Sequence, residues 1–344
     1  MPESPFRQHA RWQAGWCRAL GSPFTALLCD LLADRLPPDT PLARRLDGWP
    51  GSPNDDALVL RLTGGLHGRV RSGKSPALAA LYPPAPLPSA DALWAVLEPE
   101  LQVPALCRWL QGPPQTNEVA RSSGLMPGFL TIAAETGLPL ALLELGCSGG
   151  LNLLPDRYAY KLGGLRTGDL DSLLLLEPEW IGANPPDAPL RIKTRSGVDL
   201  APPDLSDPEQ RARMLAYVWP DQTARLERMA LAMTIVAEAR PEIVVGDAAA
   251  FVETRAKPKK GVATTVFHSI AMQYFPESTK ARIVAHMEAM GRRASRAAPL
   301  AWLRFEQDVP GTGEPPTLRL RLWPDGEDRL LARVHPHGAM VAWA

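Results

Sequence analysis

The sequence predicts an α/β protein, with a helical N-terminal domain over residues 1–125 and a mostly parallel sheet with antiparallel C-terminal strands over residues 126–344. Three observations lead there. Leu140–Leu145 (LALLEL) is a near-continuous apolar run of strand length, as in a strand covered on both faces. Strand-like and helix-like segments alternate after it as far as residue 298, the pattern of a parallel sheet with crossover helices. Pro324-Asp325-Gly326 and Pro336-His337-Gly338 then mark turns with no helix between the flanking strands, so the sheet ends antiparallel.

In chain order, the first 137 residues read as helices separated by proline. Residues 7–20 place Trp12 and Trp16 four apart, and Phe24, Leu27, Leu28, Leu31 and Leu32 form one helical stripe. Leu58, Leu62, Leu66 and Val70 continue the helical spacing, followed by residues 89–98 and 100–111. Thr116 or Asn117 can cap a short helix, and residues 127–136 form a last helix that stops at Gly137. Strand-like runs follow at residues 190–199, 242–246, 262–268, 300–306, 317–323, 329–334 and 339–343. Helices are expected at 207–217, 222–239 and 278–298, and residues 162–189 interrupt the alternation as an insertion.

Composition narrows the partners. The 37 basic residues balance the 37 acidic ones, which leaves no electrostatic footprint for nucleic acid or for an anionic membrane surface. No apolar run reaches the roughly 18–20 residues needed to span a bilayer. The opening MPESPFRQHARW lacks an apolar signal core, so a cytoplasmic location is expected. The four cysteines, at 17, 29, 107 and 147, form no CxxC pair, and no histidines stand at zinc-ligand spacing, so no metal is expected. Cys17 and Cys29 read as buried core thiols. The 37 prolines, about twice the usual share, punctuate loops in short clusters. Nothing in the chain fixes an oligomeric state.

In an open parallel sheet a ligand sits beyond the strand C-termini, where the strand order reverses. Gly146, Gly149 and Gly150 follow the first strand directly; glycine permits a tight turn and close approach of a ligand to the backbone. A helix expected to start after Gly150 would add free N–H groups and a positive dipole end. Asp199 ends the second strand, where a carboxylate can accept both hydroxyls of a ribose. Asp247 ends the third, within reach of the exocyclic amine of adenine. Each aspartate is equally suited to cap a helix.

Two rival motifs overlap this reading. Gly146-Cys147-Ser148-Gly149-Gly150 fits the G-x-S-x-G nucleophile elbow, and Asp247 with His335 or His337 follows in Ser–Asp–His order. That elbow normally comes after several strands, whereas everything before Leu140 reads as helix. Gly68–Ser75 matches the phosphate-loop pattern G-x-x-x-x-G-K-S, but helical spacing occupies the place of the strand that such a loop needs.

The segment Glu144-Leu-Gly146-Cys-Ser148-Gly149-Gly150 resembles the first motif of class I S-adenosylmethionine-dependent methyltransferases, over about residues 125–344. The resemblance implies a Rossmann-like sheet and S-adenosylmethionine as cofactor. It implies that Glu144 orders the loop and meets the methionine ammonium. Gly146, Ser148, Gly149 and Gly150 would surround the methionine moiety, with Asp199 on ribose and Asp247 on adenine. Ser148 stands where that motif has its middle glycine, and about 50 residues separate the turn from Asp199 where roughly 20 is usual. The fourth strand ends in VFHSIAMQYF, without the Asn-Pro-Pro-Tyr signature of the enzymes that methylate amino groups of nucleic-acid bases. The whole chain also resembles a bacterial family of uncharacterised proteins through QTNEVARS, LELGCSGGLNL, VWPDQ, GDAAAF and VFHS.

For chemistry, His268 ends a strand at the same sheet edge, and imidazole is the side chain suited to take a proton near neutral pH. Tyr274 follows closely and can line the same cleft. Gln115, Asn117, Glu118 and Arg121 form a polar run before the sheet that can wall a substrate site. The expected function is methyl transfer to a small molecule under the helical domain. A methyltransferase-like binding or sensor module without turnover is the alternative.

Overall fold

The structure, a computed structural model, describes residues 3–112, 114, 115, 117–308 and 314–344; Pro113 and Thr116, a cap candidate, lie outside the described residues. The chain forms two compact units, one of Met1–Thr116 with Ser206–Ala230 and the other of Asn117–Leu205 with Leu231–Ala344.

The first unit is helical. It contains α1 (Pro5–Ala19), α2 (Pro23–Arg35), α3 (Pro41–Asp47), α4 (Leu58–Arg71), α5 (Pro76–Ala79) and α6 (Ala90–Leu101). Proline opens four of these helices, where its missing N–H costs nothing. Ser4, Thr40 and Ser89 accept backbone N–H groups at the starts of α1, α3 and α6. On α1 the buried stripe is Phe6, Ala10, Ala14 and Cys17, while Trp12 and Trp16 are 53% and 48% exposed. Cys17 and Cys29 are free buried thiols. Gly68 of the phosphate-loop-like motif lies inside α4, where its missing Cβ makes room for the Trp109 ring. The first four residues of the motif are helix and residues 72–75 turn out of it, with Gly73 at φ 72°, so Gly68 serves packing and no strand precedes the turn. The sequence motif VWPDQ contributes Asp221, which accepts hydrogen bonds from the Phe24 and Thr25 N–H groups and from Thr25 Oγ1, and so caps α2 from a distance.

The second unit holds α7 (Ser122–Thr136), β1 (Leu140–Leu145), β2 (Ala159–Leu162), β3 (Leu165–Gly168), β4 (Leu175–Leu176), β5 (Glu179–Ile181) and β6 (Ile192–Asp199). Helix α8 (Pro208–Ala216) belongs to the first unit, and α9 (Thr223–Ala239) leads the chain back. Then come β7 (Glu242–Val245), α10 (Ala248–Arg255), β8 (Ala263–Ser269), α11 (Glu277–Gly291), β9 (Leu300–Glu306), β10 (Thr317–Trp323), β11 (Asp328–Val334) and β12 (Met340–Trp343).

Among the described residues, nine strands make one sheet, ordered β5-β12-β11-β10-β9-β8-β1-β6-β7. Strands β7, β6, β1, β8 and β9 are parallel, and β9 through β12 form an antiparallel meander. The order reverses between β1 and β8, so the ligand crevice of an open α/β sheet falls at their C-terminal ends. Strand β11 runs in the direction of β9, which brings the turn after Val334 to that same edge. The sequence reading left out four short strands: β2, just before the insertion, forms a small separate sheet with β3 and β4, and β5 pairs with β12 at the edge of the large one. At two to four residues each they are too short for alternation to show.

Both faces of the sheet are covered. Leu140 and Leu142 pack with Leu125, Phe129 and Ile132 of α7, whereas Leu143 and Leu145 pack with Phe251, Val252 and Ile283 of α10 and α11. That two-sided cover is why β1 reads as a continuous apolar run.

Candidate functional site

The turn after β1 is built from left-handed backbone. Gly146 and Gly150 have φ of 66° and 78°, and Ser148 has φ 49°, a conformation that a residue with a Cβ adopts only when its surroundings impose it. Asp199 supplies that constraint: Oδ2 accepts the Ser148 N–H at 2.9 Å and Oδ1 accepts the Ala201 N–H at 3.0 Å. From the other side, Asn117 Nδ2 donates to the Cys147 carbonyl at 2.9 Å. Asn152 Nδ2 donates to Asn117 Oδ1 at 3.3 Å, and Ser122 Oγ to Asn152 Oδ1 at 2.8 Å. The glycines fit neighbours closely: a Cβ on Gly146 would meet Ala271, on Gly149 Leu205, and on Gly150 Ile243.

No α-helix follows the turn. Leu151–Leu153 and Pro155–Arg157 are single 3₁₀ turns, and the chain continues into β2. Pro155 cannot donate to a helix that began at Leu151, which ends the helical course within one turn. The expected dipole at a helix N-terminus is therefore absent, and the electrostatics of the turn rest on side chains.

Those side chains are unusual. Glu144 is 2% exposed, and among the described residues its Oε2 has no hydrogen-bond partner; the buried Ser148 Oγ has none either. Burial pushes the Glu144 carboxyl well up, the neighbouring Asp199 charge adds to this, and Arg121 pulls the other way without prevailing. Burial, Glu144 and Asp199 likewise raise the Cys147 thiol far above its ordinary range. Arg121 spans the sheet edge: Nη1 donates to the Ser269 carbonyl at 3.1 Å and Nε to the Pro336 carbonyl at 2.9 Å. Glu118 is buried and accepts the Ala120 N–H. Asn117, Glu118 and Arg121 thus share a unit with the Gly-rich turn, and two of them have defined work there, Asn117 bracing the turn and Arg121 strapping the edge. Gln115 belongs to the helical unit and is half-buried.

His268 sits on the other face of the sheet. Glu144 lies opposite Phe267 in the parallel register, so the next residue, His268, points away from Glu144. The imidazole is 1% exposed and both nitrogens are engaged. Nε2 accepts from Trp302 Nε1 at 3.1 Å, which leaves the proton on Nδ1, and Nδ1 donates to Glu306 Oε1 at 2.6 Å. Burial pushes the Glu306 carboxyl up, but donation from His268 and from the Ala271 and Met272 N–H groups outweighs it and holds the carboxyl below the usual range. In this arrangement His268 has no lone pair to offer a substrate. It positions chain segments, and the proton-acceptor role expected of it has no geometric basis here. Tyr274 is 77% exposed in the short turn after β8.

Asp247 caps α10, accepting the Ala250 N–H at 2.9 Å, and also meets Thr279 and Arg282. Its carboxylate is committed to the protein, which is the capping reading of that position. The hydrolase constellation is not assembled: Ser148 Oγ meets no imidazole, and His335 Nδ1 accepts the His337 N–H inside its own turn. Sequence reasoning missed Glu306 and Trp302, whose roles arise from pairing β8 with β9. No group of three His, Cys, Asp or Glu side chains is placed to hold a metal ion, and no helix is long and apolar enough to cross a membrane, among the described residues.

The chain belongs to the family described as "Uncharacterized protein conserved in bacteria (DUF2332)", which matches residues 7–343. No curated protein matches it.

Proposed function

We propose that the sheet-bearing unit of this family member is a class I methyltransferase-like domain that binds S-adenosylmethionine at the β1 turn, and that the protein methylates a small molecule. One observation supports this most strongly: a buried carboxylate with an unpartnered oxygen, Glu144 Oε2, at the point where the parallel strand order reverses. Burying an unmatched acceptor is unfavourable by about 1–3 kcal/mol. A ligand ammonium supplies the missing donor and the opposing charge together, which is the role the methionine end of the cofactor fits.

The other residues follow from their positions. Ser148 Oγ offers a second unpartnered group beside the same turn. Asp199 retains acceptor capacity beyond its two backbone bonds, since a carboxylate offers about four lone-pair sites, so it can receive ribose hydroxyls while still shaping the loop. Asp247 drops out of the set because its oxygens already serve α10, Thr279 and Arg282. The cofactor would supply an electrophilic methyl group. The chain would align it and exclude water, a contribution that needs no general base when the nucleophile arrives deprotonated.

A second reading, a ligand-binding module without turnover, is favoured by the full engagement of His268. Thermal-shift titration with S-adenosylmethionine, S-adenosylhomocysteine, NAD and ATP tests the cofactor. Ligand at 100 times its Kd should stabilise the fold by about 2.7 kcal/mol. A response to NAD or ATP with none to the adenosyl compounds would sink the assignment. Methyl transfer to a panel of small nucleophiles then separates enzyme from module.

A further inference from the structure

The loop after β8 is held in a conformation it would not adopt alone. Ile270, a β-branched residue, has φ 49°. Its N–H still reaches back to the Phe305 carbonyl at 2.8 Å, and the next residues turn sharply through Met272–Tyr274. This brings Ala271 against Gly146: a Cβ added there would stand 2.8 Å from the Ala271 Cβ and 3.5 Å from the Phe275 ring. Ala271 and Phe275, at either end of this turn, therefore lie against Gly146 of the Gly-rich turn.

One carboxylate oxygen gathers three donors at the base of that loop. Glu306 Oε1 accepts from Ala271 N at 2.9 Å, Met272 N at 3.2 Å and His268 Nδ1 at 2.6 Å. Trp302, four residues earlier on β9 and on the same strand face, sets the His268 tautomer by donating to Nε2. The relay Trp302–His268–Glu306 thus ends on two loop amides. Glu306 is ionised at neutral pH, because donation from these three groups overcomes the cost of burial. A charged acceptor binds its donors more strongly than a neutral one.

We propose that Glu306 is a positioning residue that latches residues 270–275 onto the Gly146 turn and thereby sets the affinity of the ligand site at that turn. The affinity part rests on the adenosyl reading above; the latch itself does not. When the latch opens, Ile270 relaxes from its left-handed conformation and Ala271 leaves Gly146, so the turn loses one of its walls.

The test pairs amide hydrogen exchange with calorimetric titration of S-adenosylhomocysteine on the full chain, in Glu306→Ala and Glu306→Gln. In Glu306→Ala the Ala271 and Met272 amides should exchange at least about tenfold faster, while the β8 and β9 amides keep their protection. Affinity for S-adenosylhomocysteine should weaken about tenfold. Glu306→Gln keeps a carbonyl acceptor for the same donors and should restore most of the protection and affinity. It also serves as the test should Glu306→Ala fail to fold, with a smaller, roughly threefold rise in exchange expected from losing the charge. Unchanged exchange at residues 271 and 272 in both variants overturns the latch. Faster exchange with unchanged affinity overturns its control of the site. If the unaltered protein binds no adenosyl compound while the exchange result stands, the latch is supported and the cofactor assignment alone falls.

Discussion

The C-terminal ends of β1 and of β8 lie side by side in one sheet, yet they treat buried charge in opposite ways. At β1, Glu144 is buried with an oxygen that meets no donor, and its carboxyl is pushed up. At the neighbouring ends of β8 and β9, the half-buried Glu306 is crowded with donors and held down, and its partner His268 is satisfied at both nitrogens. The second arrangement stabilises the fold and is complete without any ligand. The first is unfavourable to the fold and becomes favourable only when something else brings a positive charge. Residue type alone favours His268 as the functional group. Hydrogen-bond accounting favours Glu144.

The sharpest way to break this contrast is Glu144→Gln. Losing one member of a buried charge pair should weaken S-adenosylhomocysteine binding about 100-fold, or about 2.7 kcal/mol. The same change removes the penalty of ionising a buried carboxyl, so the ligand-free protein should melt at higher temperature once the pH exceeds the raised titration range of Glu144. Calorimetric titration and thermal unfolding check both signs. If stability falls together with affinity, Glu144 is a structural residue.

The pH dependence sharpens it. The folded Glu144 carboxyl, raised first by burial and then by Asp199, keeps a proton that the unfolded chain has already lost over a window above the usual carboxylate range. Its contribution to stability is therefore present below that window and is lost as pH rises through it. Ligand binding runs the other way, since an ammonium needs the ionised form, so affinity should rise over the same window. Glu144→Gln should flatten both slopes, measured as unfolding midpoint and Kd against pH.

Asp199→Ala leaves the Ser148 and Ala201 N–H groups without acceptors. It should cost about 1–2 kcal/mol of stability and about tenfold in adenosyl affinity, because the left-handed Ser148 loses its tether. Unchanged affinity would place the ribose contact elsewhere. The smallest effect is expected from Asp247→Ala: about 1 kcal/mol of helix-cap energy, with adenosyl affinity within about twofold of the unaltered protein. A tenfold loss there would restore an adenine contact for Asp247.

Much of the sheet was legible because each long strand leaves its own mark. Buried on both faces, β1 reads as an apolar run; β8 reads as a strand-like run, and the meander announced itself through Pro324-Asp325-Gly326. The helix expected after Gly150 did not form, because the glycine pattern promises a turn and says nothing of what Pro155 does five residues later. The short strands β2 to β5 escaped notice because pairing partners, not local alternation, define two- to four-residue strands. The glycine turn and Asp199 were read from the residues and their place at strand ends, whereas Glu144 and Ser148 entered through the resemblance to methyltransferases. Asn117 was placed near a site, but its bond to the Cys147 carbonyl was not readable.

By itself the sequence determined the strand–turn at Leu140–Gly150 and the acids at the strand ends, since these follow from local periodicity and from the few residues that tolerate tight turns. Tertiary structure alone decided which of those acids is left unpaired. Satisfaction of a polar atom at these strand ends depends on groups far away in the chain: Glu306 for His268, Thr279 and Arg282 for Asp247, and, among the described residues, none for Glu144 Oε2.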